Sequence, residues 1–334
     1  MLEPGLVLIT GANGAGKTNL LESLHVGTQG FSPRTRADAQ LVRFGAEAAR
    51  IELAGRRGES ALALEVTLRP HEGKRAKLNG APLRSAEQLR SEVATLVFTP
   101  DRLTVVKGGP AARRAYFDRV LGRLVPARAQ LPVDYAAALG QRNAALRRVA
   151  AGLSGRAAVA PWTEQVATIG DALVRSRRET IALLSPAFAE RAGELGLPHA
   201  VLVYVGEPPT AAALEARLER DLERGVTGLG PHLDDIAVRA DGRDLRSFGS
   251  QGEQRLAVLA LLLAEAELIA ERGGVPPLLL LDDVLSELDA SRRRALADRL
   301  GRTGQTVVTA TSADALPFEP AQLLEVTPGH VRVA

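Results

Sequence analysis

Hydrophobic positions along this chain follow three different spacings, and each spacing predicts a different kind of element. Leu6-Val7-Leu8-Ile9 and Leu278-Leu279-Leu280-Leu281 are unbroken apolar runs of strand length, as expected where both faces of a strand are covered. Residues 306–309 read as a third such strand. Between Ile51 and Asn79 the pattern relaxes to alternation, clearest over residues 61–68, with a turn at His71-Glu72-Gly73 and a hairpin dipeptide at Asn79-Gly80. That stretch predicts an antiparallel meander. From about residue 109 to 195 the period lengthens to that of a helix, as at Leu139, Leu146 and Val149, with breaks near residues 126–132 and 154–161. Residues 200–204 return to strand character. The order predicts one α/β domain interrupted by a helical insertion, with boundaries at 1–108, 109–198 and 199–334.

Composition narrows the class. With 334 residues the chain can bury a large core, and 46% apolar with 24% charged residues is ordinary for a globular protein. A net charge of +3 is too small to argue for a polyanionic partner on its own. Lysine is confined to Lys17, Lys74, Lys77 and Lys107, so phosphate contacts would fall mostly to guanidinium groups with their fixed fork of donors. The absence of cysteine excludes disulfides, thiolate catalysis and cysteine-based zinc sites. No apolar stretch is long enough for a membrane span, and the first ten residues lack the features of a signal peptide, so a cytoplasmic location is expected.

The chemistry begins directly after the first strand. Gly11-Ala12-Asn13-Gly14-Ala15-Gly16-Lys17-Thr18 fits G-x-x-x-x-G-K-[ST] at every fixed position, with an apolar strand before it and a helix-compatible segment from Asn19 after it. Such a loop turns its backbone N–H groups toward phosphates, and the helix start adds a favourable dipole. Lys17 is expected to reach the β- and γ-phosphates of ATP, and the Thr18 hydroxyl to bind Mg²⁺.

Two further segments complete the pattern. The run at Leu278–Leu281 ends in Asp282-Asp283. Asp282 is placed to hold Mg²⁺, directly or through water, and Asp283 to orient or deprotonate the attacking water. Many ATPases of the ABC type carry Glu at the second position. The shorter Asp predicts slow turnover. Ser250-Gln251-Gly252-Glu253-Gln254-Arg255 opens a long apolar helix about 30 residues before the acidic pair. Ser250, Gly252 and Glu253 suit the turn with which ABC ATPases bind the γ-phosphate of a nucleotide held by the opposite subunit. A serine helix cap with a nearby glutamate is the plainer reading of the same residues. Ser286-Glu287-Leu288-Asp289 fits the loop that meets its symmetry mate, and Asp289 joins the candidate nucleotide residues.

The chain resembles the RecF family, within the SMC-like branch of ABC ATPases, along nearly its whole length. Matching stretches include residues 14–22, Phe31-Ser32-Pro33-Arg34-Thr35, residues 110–118, Gln141-Arg142-Asn143, Gly230-Pro231-His232 with Asp234-Asp235, residues 250–255 and residues 282–289. The Gln-Arg-Asn and Gly-Pro-His stretches are not general ABC features. The resemblance implies an ABC/SMC-type P-loop ATPase head with an antiparallel β-subdomain and a helical insertion, or lobe II. It also implies a homodimer that forms on ATP binding and closes on DNA. The further implications are junctions of single- and double-stranded DNA, a RecR-type partner and help in loading a recombinase at gaps.

Two features depart from the family pattern, and a third departs from transporter ATPases while keeping the threonine typical of the family. Only Met1 to Gly5 precede the P-loop strand, where family members have about two more strands, so part of a base pocket and one sheet edge are expected to be missing. Leu233 stands where arginine is common. Thr309-Ala310-Thr311-Ser312 occupies the place of the transporter histidine, again predicting weak hydrolysis.

DNA contacts are less sharply marked. Arg34 and Arg36, Lys74, Arg75 and Lys77, and Arg113 with Arg114 form basic clusters that fit either phosphate neutralisation or a solvated surface. Aromatic residues make up only 3% of the chain, which argues against base stacking as the main mode. His25, His71, His199 and His330 are isolated, whereas His232 beside Asp234 and Asp235 is a candidate for the nucleotide or a dimer seam. An ATP-binding subunit of an ABC-type transporter is the alternative function, but there the serine turn lies much closer to the P-loop than Ser250 does to Gly11. A full SMC protein would need heptads sustained over many turns, which the insertion lacks.

Overall fold

The computed structural model describes residues 1–334 apart from Arg36, His71, Glu287 and Arg302 and the side chains of Glu87 and Asp101. The first apolar run forms β1 (Leu6–Thr10), buried at every position, and the glycine-rich loop leads into α1 (Lys17–Gln29). The alternating stretch forms β2 (Ala49–Arg57), β3 (Ser60–Arg69), β4 (Gly73–Leu78) and β5 (Ala81–Pro82). These four strands make an antiparallel sheet in sequence order, in register from Ala49↔Leu68 to Arg57↔Ser60. Asn79 and Gly80 close the β4–β5 turn with φ of 49° and 83°, the conformation such a dipeptide accepts most readily. Leu64, Val66 and Leu68 alternate inward along β3 and pack with Val26 of α1 and Leu89.

β6 (Thr95–Phe98) follows, then α2 (Thr104–Lys107), α3 (Pro110–Leu124), α4 (Leu131–Ala150) and the 35-residue α5 (Ala160–Glu194). The helical period over this region thus yields helices, with one refinement. Pro110, Pro132 and Pro161 sit in the first turns of their helices, not in the connections, because a first turn has no use for the missing N–H. Next come β7 (Val201–Val205), α6 (Ala211–Glu215), α7 (Leu218–Arg224), β8 (Asp235–Ala240), β9 (Arg243–Asp244), α8 (Leu245–Phe248) and α9 (Gln251–Gly273). The chain ends with β10 (Leu278–Leu281), α10 (Ala290–Leu300), β11 (Thr306–Ala310), β12 (Gln322–Thr327) and β13 (His330–Val333).

Six strands share the main sheet in the order β13-β12-β1-β11-β10-β6. All pairs are parallel except the edge pair β12 and β13. β11 lies between the P-loop strand and the strand that carries the acidic pair, with Leu8 opposite Val308 and Leu281 opposite Val308 on its other side. Parallel strands send their carboxyl ends to one edge, and in open α/β sheets that edge is where ligands bind.

The chain divides into two compact units. One comprises Met1–Arg102, Glu194–Gly196 and Leu262–Ala334; the other comprises Leu103–Gly193 and Leu197–Leu261. The division therefore differs from 1–108, 109–198 and 199–334. The unit holding α3, α4 and α5 continues through the three-stranded antiparallel sheet β7-β8-β9 to the first half of α9. Its interior is built where helices meet, around Leu121, Tyr135, Ala138, Val166, Leu173 and Leu214, and around Ala145, Leu146, Val159 and Leu218. Strand signals at residues 200–204 do not reveal which helices a strand will pack against, so a linear reading could not assign them.

Candidate functional site

The loop between β1 and α1 is shaped by close approach. A side chain at Gly11 would place its Cβ 2.3 Å from the Val326 carbonyl oxygen on β12, so only glycine lets these backbones pass. Gly16, with φ of 107°, turns the chain into α1 and leaves that helix without a side-chain cap. Its first N–H groups are thus available to an anion, as phosphate-binding helix starts require. Ala12, Asn13, Gly14 and Asn19 are exposed, while Ala15 and Lys17 are buried. The Lys17 ammonium donates to the carbonyls of Gly11 at 2.7 Å and Ala12 at 3.0 Å, so it is held inside its own loop.

The structure brings the acidic pair to this loop. The Thr18 hydroxyl donates to Asp282 Oδ1 at 3.1 Å and Oδ2 at 3.0 Å. Asp282 is only 7% exposed at the end of β10. Asp283 follows it in the left-handed region, with φ of 48°. The Thr309 hydroxyl, fully buried at the end of β11, donates to Asp282 Oδ1 at 2.7 Å and accepts the Asp283 N–H at 2.9 Å. From sequence, Thr309 is only the first residue of a stretch, 309–312, that stands where transporter ATPases carry a histidine. Its link to both acids arises from strand order, which no linear motif displays.

These groups suit Mg²⁺. One buried carboxylate beside a hydroxyl matches an ion that keeps several waters and takes the rest of its ligands from phosphates. Among the described residues there is no cluster of three or more His, Asp or Glu side chains that would indicate a metal cage built from protein alone.

Ser250, Gly252 and Glu253 lie in the other compact unit, at the start of α9. There the plainer reading of this turn holds. The Glu253 N–H donates to Ser250 Oγ at 3.2 Å, and the Ser250 N–H donates to the Glu253 carboxylate at 2.7 Å, a reciprocal capping box. Gln254 ties the turn down by donating to the Leu245 and Gly249 carbonyls. Ser250 and Gly252 themselves remain exposed. Asp289 caps α10 by accepting from the Arg292 N–H at 2.9 Å and from the Ser291 hydroxyl at 2.6 Å. Those bonds to the Arg292 amide and the Ser291 hydroxyl hold its carboxyl below the usual range. The Ser286 hydroxyl donates to the Asp283 carbonyl, and Glu287 lies outside the described residues.

Several candidate DNA residues have other partners. Arg113 is corrected outright: it is 2% exposed and binds both carboxylate oxygens of Asp235 at 2.6 and 2.7 Å, as well as the Val106 and Gly108 carbonyls. A guanidinium so enclosed cannot reach a phosphate. Arg114 turns toward the Asp234 carbonyl at 2.6 Å and is half-buried. Arg34 pairs with Glu22, Lys74 with Asp38, Lys77 with Glu65 and Arg75 with Glu72. Arg36 lies outside the described residues, as does His71.

The Gln141-Arg142-Asn143 and Gly230-Pro231-His232 stretches converge on one buried polar network. Arg142, fully buried, donates to Asp221 at 2.8 Å, Thr227 at 2.8 Å and Thr163 at 3.1 Å. Asn143 accepts from the Thr227 N–H and hydroxyl. His232 meets the Tyr135 hydroxyl at 2.8 Å and the Thr227 carbonyl at 3.0 Å, so both ring nitrogens are engaged and the histidine is a structural strut. Burial holds its imidazole below the ordinary value. Arg177 binds both oxygens of Asp118 and the Pro231 carbonyl.

Comparison with known proteins identifies the family and the fold. Residues 1–330 match the family model described as the RecF/RecN/SMC N terminal domain. The chain is 37% identical to the DNA replication and repair protein RecF of Synechococcus sp. (97% of this chain, 90% of that protein). It is 40% identical to the protein of the same description from Anaeromyxobacter dehalogenans (95% and 89%). A solved structure of the recombination mediator protein RecF with ATP, in the RecFOR pathway, superposes with a TM-score of 0.85 at 27% identity, over 100% of this chain and 92% of that one. The Smc head domain from Pyrococcus furiosus, bound to the C-terminal domain of ScpA, superposes with a TM-score of 0.58 at 18% identity, over 99% and 89%. At that distance it shares the fold alone. The architecture is that of an ABC-type ATPase head, a mixed α/β fold with parallel and antiparallel strands.

Proposed function

This chain belongs to the RecF family of DNA replication and repair proteins, and we propose that it is an ATP-gated DNA-binding protein of gap repair that hydrolyses ATP slowly. The observation that carries the reading is the Thr18–Asp282 hydrogen bond, which joins the P-loop to the acidic strand end in one site. Residues 11–19 cradle the phosphates, and Lys17 exchanges its loop carbonyls for the β- and γ-phosphate oxygens. Thr18 and Asp282 would hold Mg²⁺, which neutralises charge on those oxygens when bound. Asp283 orients the attacking water, and its short side chain favours slow turnover.

Ser250, Gly252 and Glu253 are proposed to act on the nucleotide of a second copy, with Asp289 at the seam. The exposure of Ser250, Gly252 and Asp289 supports this role, and so does the spare bonding capacity of Ser250, whose hydroxyl accepts one bond and still has a proton to donate. Dimerisation on ATP, binding at junctions of single- and double-stranded DNA, a RecR-type partner and recombinase loading complete the reading, with the cytoplasm as its location. Among the described residues no helix is long and apolar enough to cross a membrane. Arg34, Lys74, Arg75 and Lys77 remain proposed phosphate contacts, each of which would have to share its charge with a carboxylate neighbour.

The test is association measured with and without ATP. Sedimentation should show monomers with ADP and dimers with ATP, and binding to gapped duplex DNA should tighten with ATP. If ATP alters neither dimerisation nor DNA affinity, the reading fails.

A further inference from the structure

Thr309 is the penultimate residue of β11, the strand that separates the P-loop strand from the acidic strand. It pairs with Ile9 on one side, while its neighbour Val308 pairs with Leu281 on the other, so its side chain meets the residues just beyond β10. The hydroxyl makes two bonds of fixed direction. The Asp283 amide can only donate, at 2.9 Å, so the hydroxyl accepts there. Its single proton then goes to Asp282 Oδ1, 2.7 Å away, since a carboxylate can only accept. One buried group thus fixes the carboxylate of the first acid and the backbone of the second. That second residue sits in the left-handed region, which aspartate tolerates better than most residues, and the bond from its amide to Thr309 anchors it there.

We infer that Thr309 is the positioning residue of this site: its hydroxyl orients Asp282 toward the metal and holds Asp283 in place to direct water. Groups in a ligand's outer shell act in this way, by fixing the orientation and basicity of the group that binds the ion. Here the side chain turns inward to the acids, and its contribution is made before any nucleotide arrives. This inference rests on the proposed Mg²⁺-nucleotide site.

The experiment compares Thr309→Val, which keeps the shape and removes the hydroxyl, with Thr309→Ser, which keeps the hydroxyl. Binding of a fluorescent ATP analogue is followed first in EDTA and then across a Mg²⁺ titration, with Mn²⁺ binding read directly by electron paramagnetic resonance. The valine variant is expected to bind the analogue normally in EDTA, to need about tenfold more metal for half-saturation, and to lose turnover with little change in KM. The serine variant should restore all three. Equal metal requirements in wild type and Thr309→Val would overturn the inference while leaving the site intact. Weakened binding of the analogue in EDTA would also overturn it, because the effect would then be general collapse. If the valine variant does not fold, Thr309→Ala against Thr309→Ser makes the same comparison. A wild-type protein that binds no nucleotide would instead remove the proposed site, and this inference with it.

Discussion

Asp283 holds an uncommon backbone conformation, with φ of 48°, and that makes one substitution unusually clean. Asparagine tolerates the left-handed region about as well as aspartate, so Asp283→Asn should keep the loop and lose only the carboxylate. Turnover is expected to fall about a hundredfold or more while ATP binding is unchanged, measured by single-turnover hydrolysis and equilibrium binding. Arg142 illustrates the opposite case, a residue whose value is structural. Its guanidinium and Asp221 are both essentially fully buried, and removing one partner strands the other charge. Arg142→Met should lower unfolding stability by about 3–5 kcal/mol, read from urea denaturation. His232 adds a pH dependence to the same network. Burial holds its imidazole below the ordinary value, against the pull of its bond to the Thr227 carbonyl. The unfolded chain therefore takes up a proton first as pH falls through about 6.5. The histidine's contribution is fully present above that pH and is lost below it. Stability should decline between pH 7.5 and 5.5, and His232→Gln should flatten that decline.

At the scale of elements, α9 combines two roles that a substitution can separate. Its residues from Leu256 to Ala264 are buried on all sides, as a core helix must be, yet it begins with an exposed serine turn. Aspartate caps helices as well as serine does, so Ser250→Asp should leave unfolding stability within about 0.5 kcal/mol of wild type. A carboxylate facing phosphate would nonetheless repel it, and ATP-driven dimers should disappear in sedimentation. Dimers that persist in this variant would remove Ser250 from the proposed trans contact. The capping box at this turn was legible from Ser250-Gln251-Gly252-Glu253 alone. The inward course of Arg113 was not. A pair of arginines at the start of a helix looks the same in sequence whether it faces solvent or a carboxylate, and Asp235 lies on a strand far along the chain.

For the whole molecule, nucleotide, metal and association are expected to stand or fall together. EDTA added to an ATP-driven dimer should return it to monomers and weaken DNA binding, checked by sedimentation and by binding to gapped duplex. The local part of this assembly was set by the chain itself. Each short apolar run became a strand of the parallel sheet, the alternating stretch became the antiparallel sheet, and the glycine-rich loop fell between strand and helix, because these depend on neighbours within a few residues. The P-loop and the acidic pair were recognisable for the same reason. Strand order, by contrast, is a choice among non-local pairings that cost chain entropy and return burial only when complete. Tertiary structure alone inserted β11 between β1 and β10 and so gave Thr309 both acids as partners. It joined residues 197–261 to the helices that precede them, and it buried Arg113 and Arg142 against acids from distant segments. Periodicity sets which face of an element is apolar; packing selects which distant residue that face will meet.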